Sequence, residues 1–226
     1  MEEPVLLLIE TSTESCSVAL AKGGKIISKR LTTTPRLHAS ILAPYIQEVL
    51  LESGIDIKDC SAIAVSEGPG SYTGLRVGVS TAKGLCFGAG KPLIGINTLQ
   101  ILAMQGIGAA DKIVPMIDAR RMEVYSAVFD SSCHQESDTE AIILEKESFC
   151  ELLDHNTVLF IGNGVAKFKA ITDHPNAKFC NCYPDAAAML IPATESLQKK
   201  EFKDVAYFEP FYLKEFVAGI SKKSLL

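Results

Sequence analysis

The chain has no basic run longer than two residues, as in Arg120-Arg121, Lys199-Lys200 and Lys222-Lys223, and its formal net charge is −5. Affinity for nucleic acid comes chiefly from neutralised phosphates, so this chain is not expected to bind a polynucleotide tightly by itself. Long hydrophobic runs are absent as well. The first, Val5 to Ile9, falls far short of the roughly 20 apolar residues a membrane helix needs, and the residues before it carry no basic leader. A soluble, cytoplasmic protein without membrane contact is expected. Histidine is scarce: His38, His134, His155 and His174 are scattered in polar contexts and read as surface or capping residues. No motif sets a Ser or Cys beside a His and an acid, which removes the usual signature of a nucleophilic hydrolase. The seven cysteines form an odd set, several inside apolar runs where a reduced thiol behaves as a small hydrophobe. The single close spacing, Cys180 and Cys182, puts both side chains on one face of an extended segment. Without a second pair at ligand spacing, zinc or redox chemistry is not expected there.

What the chain does have is apolar content. With 226 residues and 47% hydrophobic residues, it can bury the core of one large domain or of two small lobes. Val5 to Ile9, Cys16 to Leu20 and Ile26 to Leu31 read as three antiparallel strands, the last two joined by the hairpin turn Lys22-Gly23-Gly24-Lys25. From Leu37 the set Leu37, Ile41, Leu42, Tyr45, Ile46, Val49, Leu50 keeps a helical period that Gly54 ends, and Pro44 inside it predicts a kink. Cys60 to Val65 and Pro92 to Ile96 read as buried strands on either side of a helix over about residues 73 to 88. This order suits a mixed sheet covered by helices. Ile117-Asp118-Ala119-Arg120 lies 108 residues after Ile9-Glu10-Thr11-Ser12, and Val124 to Val128 stands at the same offset from Cys16 to Leu20. That self-match is what two duplicated lobes would leave. A boundary near residue 105 is expected, with residues 1–105 as an N-terminal lobe and 106–226 as a C-terminal lobe whose tail is left free to return to the first.

The most specific stretch runs from Glu67 to Gly78. Gly68 and Gly70 flank Pro69 in a turn, and Ser71 or Thr73 is placed to cap the next helix. In that helix Gly74, Gly78 and Ala82 recur every four residues and form a stripe without bulk, where another backbone can approach. Three uses of the stripe stay open: seating the helix on its own sheet, meeting a partner, or holding an anion at the helix N-terminus. A Walker phosphate loop is excluded, because the glycine-lysine pair and its following hydroxyl are missing.

The run Gly68-Pro69-Gly70-Ser71-Tyr72-Thr73-Gly74-Leu75-Arg76-Val77-Gly78 resembles the signature of the TsaB family, part of a wider family that includes the catalytic subunit TsaD and, more distantly, actin-like kinases. Further similar segments are Ile9 to Ser12, Lys91 to Leu99, Ile117 to Tyr125, Gly162-Asn163-Gly164 and Pro210 to Leu213. The resemblance implies an α/β, actin-like (ASKHA) fold of two duplicated lobes, each a mixed sheet flanked by helices. It also implies a non-catalytic scaffold or activator that pairs with TsaD, together with the ATPase TsaE, in threonylcarbamoylation of the tRNA adenosine next to the anticodon.

Several positions depart from the active relatives. TsaD is similar through the glycine loop and then carries two metal-binding histidines one helical turn apart, where this chain has Thr98 and Leu102. The acidic-glycine phosphate turns of actin-like kinases are here Glu10-Thr11-Ser12 and Asp118-Ala119-Arg120, with side chains where glycine would be needed. Glu10 also stands where the TsaB family carries aspartate. No metal, cofactor or catalytic residue is therefore assigned, and Glu10 and Asp118 are read either as a pair across the cleft or as residues of their own turns. The expected partner face comprises Leu37, Ile41, Tyr45, Tyr72, Gly74, Leu75, Gly78, Val79 and Ala82, two helices meeting two of the partner's. The alternatives are an actin-like phosphotransferase, a glycoprotease-like peptidase, and a scaffold that dimerises with its own copy through the same helices.

Overall fold

The structure is a computed structural model and describes residues 3–214. Its first strands follow the apolar runs. β1 (Val5–Glu10) is buried along its whole length and pairs antiparallel with β2 (Cys16–Lys22), Leu7 opposite Leu20. β3 (Lys25–Thr32) returns alongside β2 through Gly23 and Gly24, both at positive φ as a two-residue hairpin turn requires. α1 (His38–Ser53) runs as one helix across Pro44 and ends on Gly54 at φ 62°. β4 (Ala62–Gly68), α2 (Tyr72–Ala89) and β5 (Leu93–Asn97) follow, β4 lying parallel to β1 and β5 parallel to β4. The sheet order is β3-β2-β1-β4-β5.

α3 (Thr98–Met104) leads into the second sheet, built from β6 (Lys112–Asp118), β7 (Glu123–Ser126), β8 (Phe129–Asp130), β9 (Glu140–Ile143), β10 (Val158–Ile161) and β11 (Ala177–Cys180). α4 (Cys150–His155) precedes β10 and α5 (Val165–Lys169) precedes β11. The path β9-β7-β6-β10-β11, with β8 also on β6, repeats the order and strand directions of the first sheet. This is the duplicated, two-sheet α/β arrangement that the resemblance implies. The internal match needs one adjustment. Glu10 faces Ser17 whereas Asp118 faces Val124, so the second turn is a residue shorter and the equivalence slips by one along the second strand.

β1 is apolar on both faces because the first sheet is covered on both. α1 and α2 pack Leu42, Ile46, Val49, Val79 and Ala82 on Leu7, Ile9, Val18 and Leu20. On the other face lie Ala186 and Met189, from a short 3-10 turn, and Ala193 of α6 (Leu190–Lys199), against Leu6, Leu8, Ala64 and Ile94. Burial of each such leucine contributes ~1.5–3 kcal/mol. The chain thus crosses back from the second sheet to the first after β11. Beyond α6 it continues as a strap: the Lys203 amide donates to the Leu93 carbonyl at 2.8 Å and the Phe211 amide to that of Glu67 at 2.7 Å. The tail, residues 211–226, falls mostly outside the described residues. Among the described residues no helix is long and apolar enough to cross a membrane.

Candidate functional site

The glycine loop joins β4 to α2. Ser71 caps the helix, its Oγ accepting from the Gly74 amide at 3.3 Å, while Thr73 lies exposed. Gly68, Pro69 and Gly70 form the turn, and the strap passes so near that a Cβ on Gly68 would strike the Phe211 carbonyl. The Ser71 amide donates to the Ser12 carbonyl at 2.6 Å and Thr11 Oγ1 to the Gly74 carbonyl at 2.8 Å. Side chains on Gly74 and Gly78 would collide with the Thr11 carbonyl and Thr11 Oγ1. The stripe therefore exists to seat the first turn directly on the helix.

Of the residues expected at a partner face, Gly74, Leu75, Gly78, Val79 and Ala82 are buried within the chain itself. Their burial follows from the sheet lying on that side of α2. Leu37, Ile41, Tyr45 and Tyr72 remain at least partly accessible. Arg76 points outward with its guanidinium 5.0 Å from the Tyr72 ring centre, and Tyr72 packs on Tyr212 of the strap at 4.9 Å.

The opposite side of α2 is also built of small residues. Val77 and Thr81 are half-buried, Ser80, Gly84 and Gly88 are exposed, and nothing stands within reach of a Cβ on either glycine. Beside this groove Phe87 is 84% exposed, and on α1 Leu51 is 72% exposed, while Leu37, just before that helix, is 38% exposed. Periodicity does not single out Leu51 or Phe87, because each lies off the core stripe of its helix. Their only signal in the sequence is a large apolar residue at a position the period leaves to solvent.

The first turn holds a buried carboxyl. Glu10 Oε1 accepts from the amide and hydroxyl of Ser12, both at 2.5 Å, while Oε2 is buried without a partner. Burial, helped slightly by the charge of Asp185, outweighs the hydrogen bonds from Ser12 and Ser66 and pushes the group up to about 7. In the second lobe, exposed Asp118 accepts from the Arg120 amide at 2.6 Å and Lys167 Nζ at 2.7 Å, and its own amide donates to Asn163 Oδ1. Each acid is thus engaged with its own turn.

At the start of α3, Asn97 Oδ1 caps the helix by accepting from the Leu99 amide at 2.8 Å. Thr98 is buried with its hydroxyl unpartnered, and Leu102 lies in the core with Ile113, Phe129 and Leu159. Neither position presents a ligand. Among the described residues no group of three His, Cys, Asp or Glu is placed to hold a metal ion. The histidines are dispersed: His38 contacts the Ser15 carbonyl at 3.1 Å, His134 pairs with Asp130 and His174 with Asp154. A cleft of about 560 Å³ between the lobes is lined by Glu67, Asn97, Asp138, Thr139, Lys203 and Phe211, with Lys203 neutralising Glu67 at 2.8 Å.

Comparison with known proteins places these features. Residues 29–222 match the family model described as TsaD: tRNA N6-adenosine threonylcarbamoyltransferase, which marks the wider family. The tRNA threonylcarbamoyladenosine biosynthesis protein TsaB of Escherichia coli is 38% identical over 61% of this chain and 62% of its own length. That of Haemophilus influenzae is 33% identical over 96% of each chain. The solved structure of YeaZ from Pseudomonas aeruginosa superposes with a TM-score of 0.81 at 29% identity, covering 93% of this chain and all of that one. With the Haemophilus influenzae relative 33% identical over 96% of each chain, the chain belongs to the TsaB family of tRNA threonylcarbamoyladenosine biosynthesis proteins.

Proposed function

We propose that this protein is a cytoplasmic, non-catalytic subunit that docks on a TsaD-type catalytic protein, with a TsaE-type ATPase in the same complex, for threonylcarbamoylation of tRNA adenosine. The observation that carries this reading is the outward face of α1 and α2. It combines a groove of small residues at Val77, Thr81, Gly84 and Gly88 with projecting Leu51 and Phe87. A backbone-close groove flanked by large apolar side chains suits helix-on-helix packing, whereas isolated exposed apolar residues would carry no such meaning. Of the residues first expected at the interface, Leu37, Ile41, Tyr45 and Tyr72 keep accessible surface, while the buried stripe supports α2 from beneath.

The non-catalytic reading is supported by the two turns. In the first lobe Thr11 and Ser12 lie hard against α2, so the backbone that cradles phosphate in an actin-like kinase is here closed on its own helix. A buried threonine and a core leucine stand at the positions where TsaD has its histidines. The chain then acts through its partner's structure: docking favours the catalytic subunit's competent arrangement by binding it better than the alternatives. Size-exclusion chromatography of the two proteins, separately and mixed, tests the pairing. A shared earlier peak supports it. Separate elution, or a homodimer that the catalytic protein fails to displace, contradicts it.

A further inference from the structure

Beside the groove, α2 carries a second line of residues. Tyr72, Arg76, Ser80 and Lys83 follow one another at helical spacing, and at 3.6 residues per turn they lie roughly a quarter turn from Val77, Gly84 and Gly88. A concavity of about 360 Å³ opens along this line, walled on its other side by Phe208, Glu209 and Tyr212 of the strap. Lys83 holds the strap there: its Nζ donates to the Ala206 carbonyl at 3.2 Å and to that of Phe208 at 2.8 Å.

The concavity is net positive. Arg76 is exposed, and its guanidinium rests 5.0 Å from the Tyr72 ring centre, which orients the fork and leaves its edge N–H groups to a ligand. Among the described residues it has no carboxylate within ion-pair distance. Its charge reaches the lining all the same: burial raises the Tyr212 hydroxyl, and Arg76 works against that rise. An ammonium has three donors, so Lys83 keeps one after serving the strap. Glu209, the acid among the described lining residues, is exposed and makes no ion pair with either cation.

We propose that this concavity receives a carboxylate from the docking partner, an aspartate or glutamate on the helix that lies in the groove, bound by Arg76 and by the remaining donor of Lys83. The inference rests on the outward side of α1 and α2 being the docking face. A helix seated along Gly84 and Gly88 carries its own flank past Arg76, so an acid on that flank arrives together with the apolar contact. Apolar grooves supply contact area but tolerate sliding by a turn, whereas one charge at one end fixes which turn of the partner lies over it. Arginine suits the task because its planar fork matches a carboxylate at two points. A free anion is a poorer occupant. In a site this open, salt screens a lone charge and the pair is worth little, while a carboxylate delivered by a docked helix is held at high effective concentration.

The test uses the full chain and the catalytic protein. Arg76→Lys places an amine in the concavity, and a water-soluble carbodiimide joins an amine only to a carboxylate in contact with it. The expected cross-linked peptide joins position 76 to one aspartate or glutamate of the catalytic protein. By titration calorimetry, Arg76→Gln should weaken binding about tenfold and flatten its salt dependence, and Arg76→Glu should weaken it about a hundredfold. Replacing the cross-linked acid of the partner by lysine should then restore binding to Arg76→Glu. The proposal is overturned if position 76 links only to Glu209 of its own chain. It is also overturned, with the docking face left standing, if Arg76→Gln binds as wild type at every salt concentration while Gly84→Trp does not bind. Absence of binding by wild type would overturn the docking face and this site together.

Discussion

Replacing Glu10 by Gln should make the protein more stable at pH 8 and no more stable at pH 4. The carboxyl is fully buried, with Oε1 on Ser12 and Oε2 unpartnered, and burial raises it from an ordinary 4.5 to about 7. The folded protein therefore keeps a proton between pH 4.5 and 7 that the unfolded chain has lost. The sign follows from linkage: stability is full below about 4.5, declines as pH climbs to 7, and levels off above. That interval corresponds to about 3 kcal/mol, an upper figure because a water entering beside Oε2 would reduce it. Glutamine keeps the acceptor for both Ser12 bonds and has no charge to bury. Urea unfolding of both proteins at intervals from pH 4 to pH 8 should give curves that coincide at acid pH and separate by up to about 3 kcal/mol at pH 8. If wild type and variant run parallel across that range, Glu10 does not hold its proton and the account of the first turn is wrong.

Two further changes test how α2 is seated. Gly78→Leu drives a side chain into Thr11 Oγ1 and breaks its bond to the Gly74 carbonyl, so thermal unfolding should show a loss of about 1–3 kcal/mol or more. Ser71→Ala removes the cap on the Gly74 amide and should cost roughly 0.5–1 kcal/mol, since the site is open to water.

The first lobe was legible because its signals are local. The strands around the Gly23-Gly24 turn, the period of α1 ending on Gly54, and the Ser71 cap each depend on a few neighbouring residues, and the structure has all three. The glycine stripe of α2 was visible too, but a sequence shows that a face is small without showing what covers it. Thr11 and Ser12 cover it, some sixty residues earlier in the chain. The outward groove at Gly84 and Gly88 was obscured for a related reason: on a helix with small residues on both sides, spacing does not say which side is inside. The passage of Ala186, Met189 and Ala193 under the first sheet depends on the sheet's far face being apolar, a property of Leu6, Leu8 and Ile94 rather than of the segment itself. The one-residue slip between the duplicated turns is too small for a self-match to register.

The central claim is that the outward side of the helix pair is the docking face, and titration calorimetry of a TsaD-type catalytic protein into this chain tests it most directly. Gly84→Trp fills the open groove and Phe87→Ser removes the most exposed large apolar side chain on α2. Neither touches the core, so unfolding temperatures should stay near that of wild type. Loss of ~1.5–3 kcal/mol of apolar burial at the interface should weaken binding by about tenfold or more, and the tryptophan should abolish it by holding the helices apart. Wild-type affinity in both folded variants would contradict the claim and move the docking face elsewhere on the molecule.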